Sequence, residues 1–398
     1  MSQLQDSSSQ SLSGKEPWLA VNLSMIFPYK LKSVSWNMIF LEFALMNHYL
    51  FNLNSLFIPK INKNNFTAVS LFSGGGGLDL GLSLADFNFK YANDEIQYYC
   101  DTISYNFPGC IAEAKDIIQV TGENIKELIQ TDSIALLAGG PPCQSFSILG
   151  RRGSFSDSRG QLVFEYCRLV NELKPDAFIF ENVPGILTLN KGKDWRDLFY
   201  YFEVETGYDL HTDILNAADY GVPQIRKRVF LVGFRQPTEF SFPTPTYRDY
   251  SKEVNLFYQY LPQWIPSKLA LENVDGLPNH DIRIHGDRVR SRYEQIPPGG
   301  RDKVDHTDRI NPERPSGTVL VGSKAGGGRP HIHPYYPRHI TVREAARLQS
   351  FPDWYKFLGT GTAQYRQVGN AVPPLLAFAL GKSIKTALQK TKQKEMSR

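Results

Sequence analysis

Phe66-Thr67-Ala68-Val69-Ser70-Leu71-Phe72 is an apolar, β-prone run that stops at Ser73-Gly74-Gly75-Gly76-Gly77, and Leu78 to Ala85 then carries a helical pattern. The run Ser133-Ile134-Ala135-Leu136-Leu137-Ala138 reads as a strand buried in a parallel sheet, and parallel strands need crossover helices between them. The four glycines let the backbone turn sharply and pass close to a ligand with no Cβ in the way. Strand-like runs recur at Phe89-Lys90-Tyr91-Ala92, Ser133-Ile134-Ala135-Leu136-Leu137-Ala138 and Asp176-Ala177-Phe178-Ile179-Phe180. The pattern predicts an α/β chain with a doubly wound sheet that binds its ligands at the strands' carboxyl ends. At 398 residues the chain exceeds what one core usually supports, so two domains, or one domain with a large insertion, are expected.

Composition narrows the classes. The four cysteines, Cys100, Cys110, Cys143 and Cys167, have neither Cys-x-x-Cys nor Cys/His spacing, which argues against a disulfide framework or a metal site and for a reducing, cytoplasmic setting. A net charge of +4 permits nucleic-acid binding without demonstrating it. Basic residues and histidines gather between His280 and Arg329, diluted by aspartates, and a solvated charged face explains such a cluster about as well as a polyanion site. Residues 1–64 differ from the rest: a Ser/Gln-rich opening precedes an aromatic stretch from Val34 to Ile58 broken by Asn, Glu and His. No clean apolar run reaches the roughly 18–20 residues of a membrane span, and no signal-peptide pattern is present. This segment is expected to be either a poorly ordered extension or the product of an upstream start, with Met46 as one candidate internal start, and its deletion is expected to leave activity intact.

The strongest chemical signal is Gly139-Gly140-Pro141-Pro142-Cys143-Gln144-Ser145-Phe146-Ser147. Two prolines fix their own φ angles and push the preceding residues into extended geometry, so the turn aims the Cys143 thiol from a strand's carboxyl end. A solitary cysteine is ordinarily a small buried apolar residue, but Gly-Gly-Pro-Pro adds little to a core and Gln144, Ser145 and Ser147 are poor company for an inert sulfur. About 20 residues beyond the first glycines stands Asn93-Asp94-Glu95, where folds of this kind place a carboxylate on ribose hydroxyls. Asp116-Ile117 is expected to meet an adenine ring. Glu181, before Asn182-Val183-Pro184, reads either as an acid/base group or as part of a surface turn. Arg226 and Arg228 are two apart in an extended run, which sends both to one face.

Taken together these segments resemble the DNA (cytosine-5) methyltransferases. Phe72-Ser73-Gly74-Gly75-Gly76-Gly77 is similar to that family's cofactor loop, Gly140-Pro141-Pro142-Cys143-Gln144 to its nucleophile loop, Glu181-Asn182-Val183 to its cytosine-binding turn and Gln224-Ile225-Arg226-Lys227-Arg228 to its arginine strand. Arg343-Glu344-Ala345-Ala346-Arg347-Leu348-Gln349-Ser350-Phe351-Pro352 and Gln367-Val368-Gly369-Asn370-Ala371-Val372-Pro373-Pro374 are similar to its last two signatures. The resemblance runs from about Phe66 to Leu380.

It implies a Rossmann-like, S-adenosylmethionine-dependent methyltransferase domain (65–235 plus 366–398) and a smaller, mostly irregular or β target-recognition domain with a hinge (236–365). Cys143 would add to cytosine C6, Glu181 would hold N3, and Arg228 with Arg226 would stabilise O2 and hold a phosphate. Phe72, Ser73, Gly74, Gly76, Asp94, Asp116, Ile117, Pro142, Leu162 and Asn370 would line the S-adenosylmethionine pocket, and no metal is implied. Gln144, Ser147 and Thr318 would touch double-stranded DNA, and the Gly326-Gly327-Gly328-Arg329 run is either a close approach to it or a plain loop. A base inside a duplex must rotate out of the stack for this chemistry, at a few kcal/mol. The expected protein is a monomeric modification enzyme, with a cognate restriction endonuclease implied by analogy alone. Two other readings stay open: a tRNA cytosine-5 methyltransferase, against which stands the missing Cys-Phe-Thr signature, and a catalytically silent DNA- or cofactor-binding protein. Thr341 and Glu344 are spaced as a capping box, which makes Arg343 and Arg347 structural rather than base-reading.

Overall fold

In the computed structural model, residues 53–54, 66–142, 161–252, 258–320 and 330–397 are described. Contacts divide the chain after residue 47, and every described residue belongs to the unit 48–398. Cys143, Gln144, Ser147, Met46 and the Gly326–Arg329 run lie outside the described residues.

The first apolar run is β1 (Thr67–Leu71), the glycines form a turn, and α1 (Gly77–Leu84) follows. Then come β2 (Asn88–Asp94), α2 (Gln97–Asn106), β3 (Ile111–Ala114), α3 (Gly122–Ile129), β4 (Leu136–Gly139), α4 (Gln161–Leu173), β5 (Ala177–Asn182), α5 (Lys193–Thr206), β6 (Asp209–Asn216) and β7 (Lys227–Phe234). The strands make one sheet in the order β3-β2-β1-β4-β5-β7-β6. β1 to β5 are parallel, and β7 runs antiparallel to both β5 and β6. The chain leaves β1 toward β2 and β3 and returns on its other side as β4, so β1 and β4 flank the switch point where such sheets bind ligands.

Alternate side chains of each strand feed two cores, as a period of two requires. Ala68, Leu136, Ala177, Ile179, Phe230 and Val232 face α1 and the long α10 (Pro374–Met396); Val69, Leu71, Leu137, Phe178, Phe180 and Leu231 face α4 and α5. With both faces covered, the uniformly apolar strands are accounted for. Close approach of α1 and α10 depends on glycine: a Cβ at Gly81 would collide with the Pro374 carbonyl oxygen.

Residues 236–365 are mostly irregular as expected, with α6 (Lys268–Leu271), α7 (Asp287–Glu294), α8 (Val342–Leu348) and the start of α9 (Gly361–Asn370). The expected β content reduces, among the described residues, to isolated bridges such as Arg301 with Asp308 and Arg309 with Ile332. The Thr341/Glu344 capping box is present at α8. Arg343 is fully buried, donating to the carbonyls of Pro278, Pro352 and Tyr355, and Arg347 pairs with Asp353 while holding the carbonyls of Glu272 and Asn273. Both arginines bind the irregular region together.

Within residues 1–64 the structure describes Leu53 and Asn54. Leu53 is 1% exposed, and the Asn54 amide meets Asp353 twice, donating to its carboxylate at 2.9 Å and accepting its backbone N–H at 2.8 Å. These two residues are docked on the folded unit, although the sequence carries no pattern that assigns them to it.

Candidate active site

Two clusters form at the carboxyl end of the sheet. The first is built on β5 and β7. Glu181 pairs in register with Phe230, which places its side chain beside that of Arg228 near the start of β7. Arg228 Nε lies 2.8 Å from Glu181 Oε1, with the two side chains 10% and 12% exposed. Gly140 makes room for the carboxyl group: a Cβ there would sit 2.5 Å from Glu181 Oε2. Asn182 fastens the same corner by donating from Nδ2 to the Pro141 carbonyl at 3.1 Å. Burial pushes the Glu181 carboxyl above its ordinary value, and the charges of Arg228 and then Arg226 oppose that rise. A carboxyl group so poised can give or share a proton with a ring nitrogen, and the adjacent guanidinium can take up negative charge developing nearby.

Arg226 stands just before β7 and is 1% exposed. Its Nη2 donates to the Gly369 carbonyl at 2.8 Å, at the carboxyl end of α9, where a cation complements the helix dipole. The expectation that Arg226 shares one face with Arg228 agrees with both charges bearing on Glu181. The guanidinium is interior, held on the Gly369 carbonyl. Gln224, fully buried, bridges the Leu348 carbonyl and the Val319 N–H. Thr318 Oγ1 donates to the Ile225 carbonyl at 2.9 Å, which puts this residue beside the arginine segment.

The second cluster surrounds the glycine turn. Phe72 has φ 56°, a left-handed conformation that non-glycine residues seldom adopt, followed by Gly74 and Gly76 at φ 54° and 72°. A Cβ on Gly74 would meet nothing within 4 Å, so the turn is open on that side, whereas one on Gly75 would lie 2.8 Å from the Gln367 carbonyl oxygen. The Asp94 carboxylate accepts the Gly74 N–H at 3.0 Å and the Ile96 N–H at 3.1 Å. Asp94 thus holds the turn itself, each oxygen keeping a lone pair for a ligand hydroxyl, while Glu95 beside it is exposed. Burial pushes Asp94 up to about 6. Asp116 caps a short turn through Ile118 N; Ile117 packs in the core and Ile118 carries the exposed side chain. Pro142 and Asn370 are exposed and Leu162 half-buried.

Strand register brings Leu71, Asn93, Asp94 and Gly139 to one edge: Leu71 pairs with Asn93 on one side and Gly139 on the other, and Asp94 with Ala114. An open glycine turn, an aromatic ring, two carboxylates and an amide suit a nucleoside that carries positive charge. The arrangement also contains groups that sequence reasoning missed. Tyr355 donates to the Gly75 carbonyl at 2.9 Å across 280 residues, which no local signal announces. Ser70 and Asp79 lie beneath the turn, and only the placement of one acid in the apolar Leu78–Leu82 stretch hinted at them.

The family model described as C-5 cytosine-specific DNA methylase matches residues 66–386, which spans both clusters and nearly the whole described chain. The chain belongs to that family. Among curated relatives of this C-5 cytosine-specific DNA methylase, the type II methyltransferase M.XorII of Xanthomonas oryzae pv. oryzae is 36% identical over 368 residues, covering 82% of this chain and 86% of that protein. The type II methyltransferase M1.HphI of Haemophilus parahaemolyticus is 34% identical over 332 residues, covering 80% and 87%. A solved structure described as a DNA modification methyltransferase encoded within a prophage of E. coli superposes with a TM-score of 0.64 at 28% identity, covering 82% of this chain and 100% of that one. The S. pombe Dnmt2 methyltransferase, at 20% identity and a TM-score of 0.58, shares the fold with this methylase. Among the described residues no helix is long and apolar enough to cross a membrane and no cluster of metal ligands occurs.

Proposed function

We propose that this methylase transfers a methyl group from S-adenosylmethionine to C5 of a cytosine rotated out of a specific short sequence in duplex DNA, as the cytoplasmic, monomeric modification enzyme of a restriction-modification system. The observation that carries the reading is the buried Glu181–Arg228 pair seated on Gly140, three residues before Cys143.

Cytosine C5 is a weak nucleophile. Addition of the Cys143 thiolate to C6 forms a C–S bond and moves electron density toward C5 and N3. Glu181 holds the N3 proton, and Arg228 donates to the O2 oxygen, so the charge that builds on the ring is met by groups already in place. Phe72, Ser73, Gly74, Asp94, Asp116, Pro142, Leu162 and Asn370 would hold S-adenosylmethionine, whose sulfonium would supply the methyl group to C5 as its S–CH3 bond breaks and a neutral thioether is left. Loss of the C5 proton to a base and expulsion of the Cys143 thiolate restore the aromatic ring. Gln144, Ser147 and Thr318 contact the DNA, and residues 236–365 read its sequence. The names of the type II relatives support the pairing with a restriction endonuclease.

Conversion sequencing of unmethylated genomic DNA, treated with the protein and S-adenosylmethionine, tests this. Protected cytosines within one short motif, lost with Cys143→Ser, are the expected result. Absence of any protected cytosine with a folded wild-type protein overturns the reading.

A further inference from the structure

The glycine turn is supported from below by a chain of three side chains on separate elements. Ser73 Oγ lies 2.8 Å from Ser70 Oγ, and Ser70 Oγ lies 2.6 Å from Asp79 Oδ1. Ser70 is on β1, Ser73 in the turn and Asp79 in the first helical turn of α1. Ser70 and Asp79 are 1% and 2% exposed, and Asp79 Oδ2 has no hydrogen-bond partner. An unpaired buried carboxyl oxygen carries a desolvation cost, so the group is expected to have a structural or functional reason to be there.

Direction follows from chemistry. Asp79 Oδ1 accepts the Ser70 hydroxyl proton, which leaves Ser70 Oγ to accept the proton of Ser73. The Asn93 carbonyl competes for that proton from 3.3 Å, a longer and weaker contact. With its proton turned inward, the half-buried Ser73 hydroxyl keeps its lone pairs free beside Gly74, where the turn is open. It becomes a fixed acceptor rather than a free rotor, next to the strand end that carries Asp94.

We propose that Asp79 is a positioning residue for cofactor binding: through Ser70 it holds the Ser73 hydroxyl as an acceptor facing the cleft, where it receives an N–H of the ammonium group on the cofactor's amino-acid portion. The inference rests on the S-adenosylmethionine reading given above. Burial favours the neutral acid at Asp79, Ser70 opposes this, and Asp94 reinforces it; Cys110 and Tyr355 are the other titratable groups that face it. A neutral acid keeps the carbonyl-type acceptor that the relay requires.

The test is the equilibrium dissociation constant of S-adenosylmethionine for the full chain, by calorimetry, with thermal melting to confirm folding. A hydrogen bond to a charged group is worth about 1.5–3 kcal/mol, so Ser73→Ala is expected to weaken binding roughly 10- to 100-fold. Asp79→Ala and Ser70→Ala should each lose a good part of that, and Asp79→Asn, which keeps an acceptor at Oδ1, should recover it. The decisive measurement is Asp79→Ala in a Ser73→Ala background. No further loss is expected there, because the residue acts through Ser73. A full additional loss in that background, or unchanged affinity in folded Asp79→Ala and Ser70→Ala proteins, overturns the proposal. If the wild-type chain itself fails to bind S-adenosylmethionine, the cofactor reading fails first, and the two failures are told apart.

Discussion

Arg228 Nε sits 2.8 Å from Glu181 Oε1 where both side chains are about nine-tenths buried, so the charge of each depends on the other. Glu181→Gln keeps the shape and a hydrogen-bonding group but cannot cycle a proton at N3. Methyl transfer is expected to fall by about 10²- to 10⁴-fold, the range for a positioned acid or base, with cofactor affinity retained. Single-turnover kinetics beside calorimetry checks this, and a loss of affinity matching the loss of rate would sink the assignment.

The same pair predicts a pH effect with a definite sign. Burial raises the Glu181 pKa, and Arg228 is the largest influence opposing it. Arg228→Met removes the cation and leaves burial less opposed, so Glu181 keeps its proton to higher pH. The alkaline limb of kcat/KM, along which the protonated form is lost, should move upward while the plateau falls. A limb that stays put or moves to lower pH would show that Glu181 does not set it.

Legibility in the sequence follows the locality of the contacts. β1, its glycine turn and α1 are encoded by one continuous run, and the position of Glu181 follows from the end of an apolar strand. The capping box of Thr341 and Glu344 is a spacing of three, readable in the sequence alone. Arg226 is legible in its position along the chain but not in its depth, because its burial depends on Gly369, 143 residues away. The contact of Tyr355 with Gly75 and the Asn54–Asp353 pair are likewise products of folding with no pattern in the sequence. Residues 236–365 show neither a period of two nor a sustained helical period, and the described part is correspondingly irregular.

Gly81 offers a test in which helix propensity and packing oppose one another. Alanine normally gains about 1 kcal/mol over glycine inside a helix. Here its Cβ would strike the Pro374 carbonyl oxygen and approach the Ala377 Cβ to 2.5 Å. Backbone cannot swing aside as a side chain can, so overpacking should win and Gly81→Ala should lose about 1–3 kcal/mol net. Urea unfolding measures it; a more stable variant would mean that α1 and α10 are not packed as described.

Asn54→Ala separates the docked part of the N-terminal region from the rest of it. Two hydrogen bonds to Asp353 disappear, and Asp353 loses a donor that, after Arg347, helps hold its carboxyl below the usual range. The expected loss is about 1–2 kcal/mol, as for two hydrogen bonds that are only partly buried. Because Arg347 also grips the carbonyls of Glu272 and Asn273, amide exchange should quicken around those residues as well. Wild-type stability in the variant would mean that the Asn54 contacts with Asp353 contribute nothing to the fold.

Asp79 makes stability depend on pH in the direction opposite to an ordinary ion-paired acid. Burial pushes it from 3.8 up to about 7, and Asp94 is likewise raised to about 6. Between about pH 4 and those values the unfolded chain has lost protons that the folded chain still binds, so raising the pH favours the unfolded state. The contribution of Asp79 is therefore complete below pH 4, falls steadily to about pH 7 and is gone above it. Acids held low by partners, such as Glu344 and Asp353, act in the reverse sense and lose their contribution only in acid. Asp79→Asn removes one titration and preserves the acceptor for Ser70. Urea unfolding from pH 4.5 to 7.5 should then show a larger gain for the variant relative to wild type as pH rises, and a constant difference across that range would mean that Asp79 is ionised in the folded protein throughout.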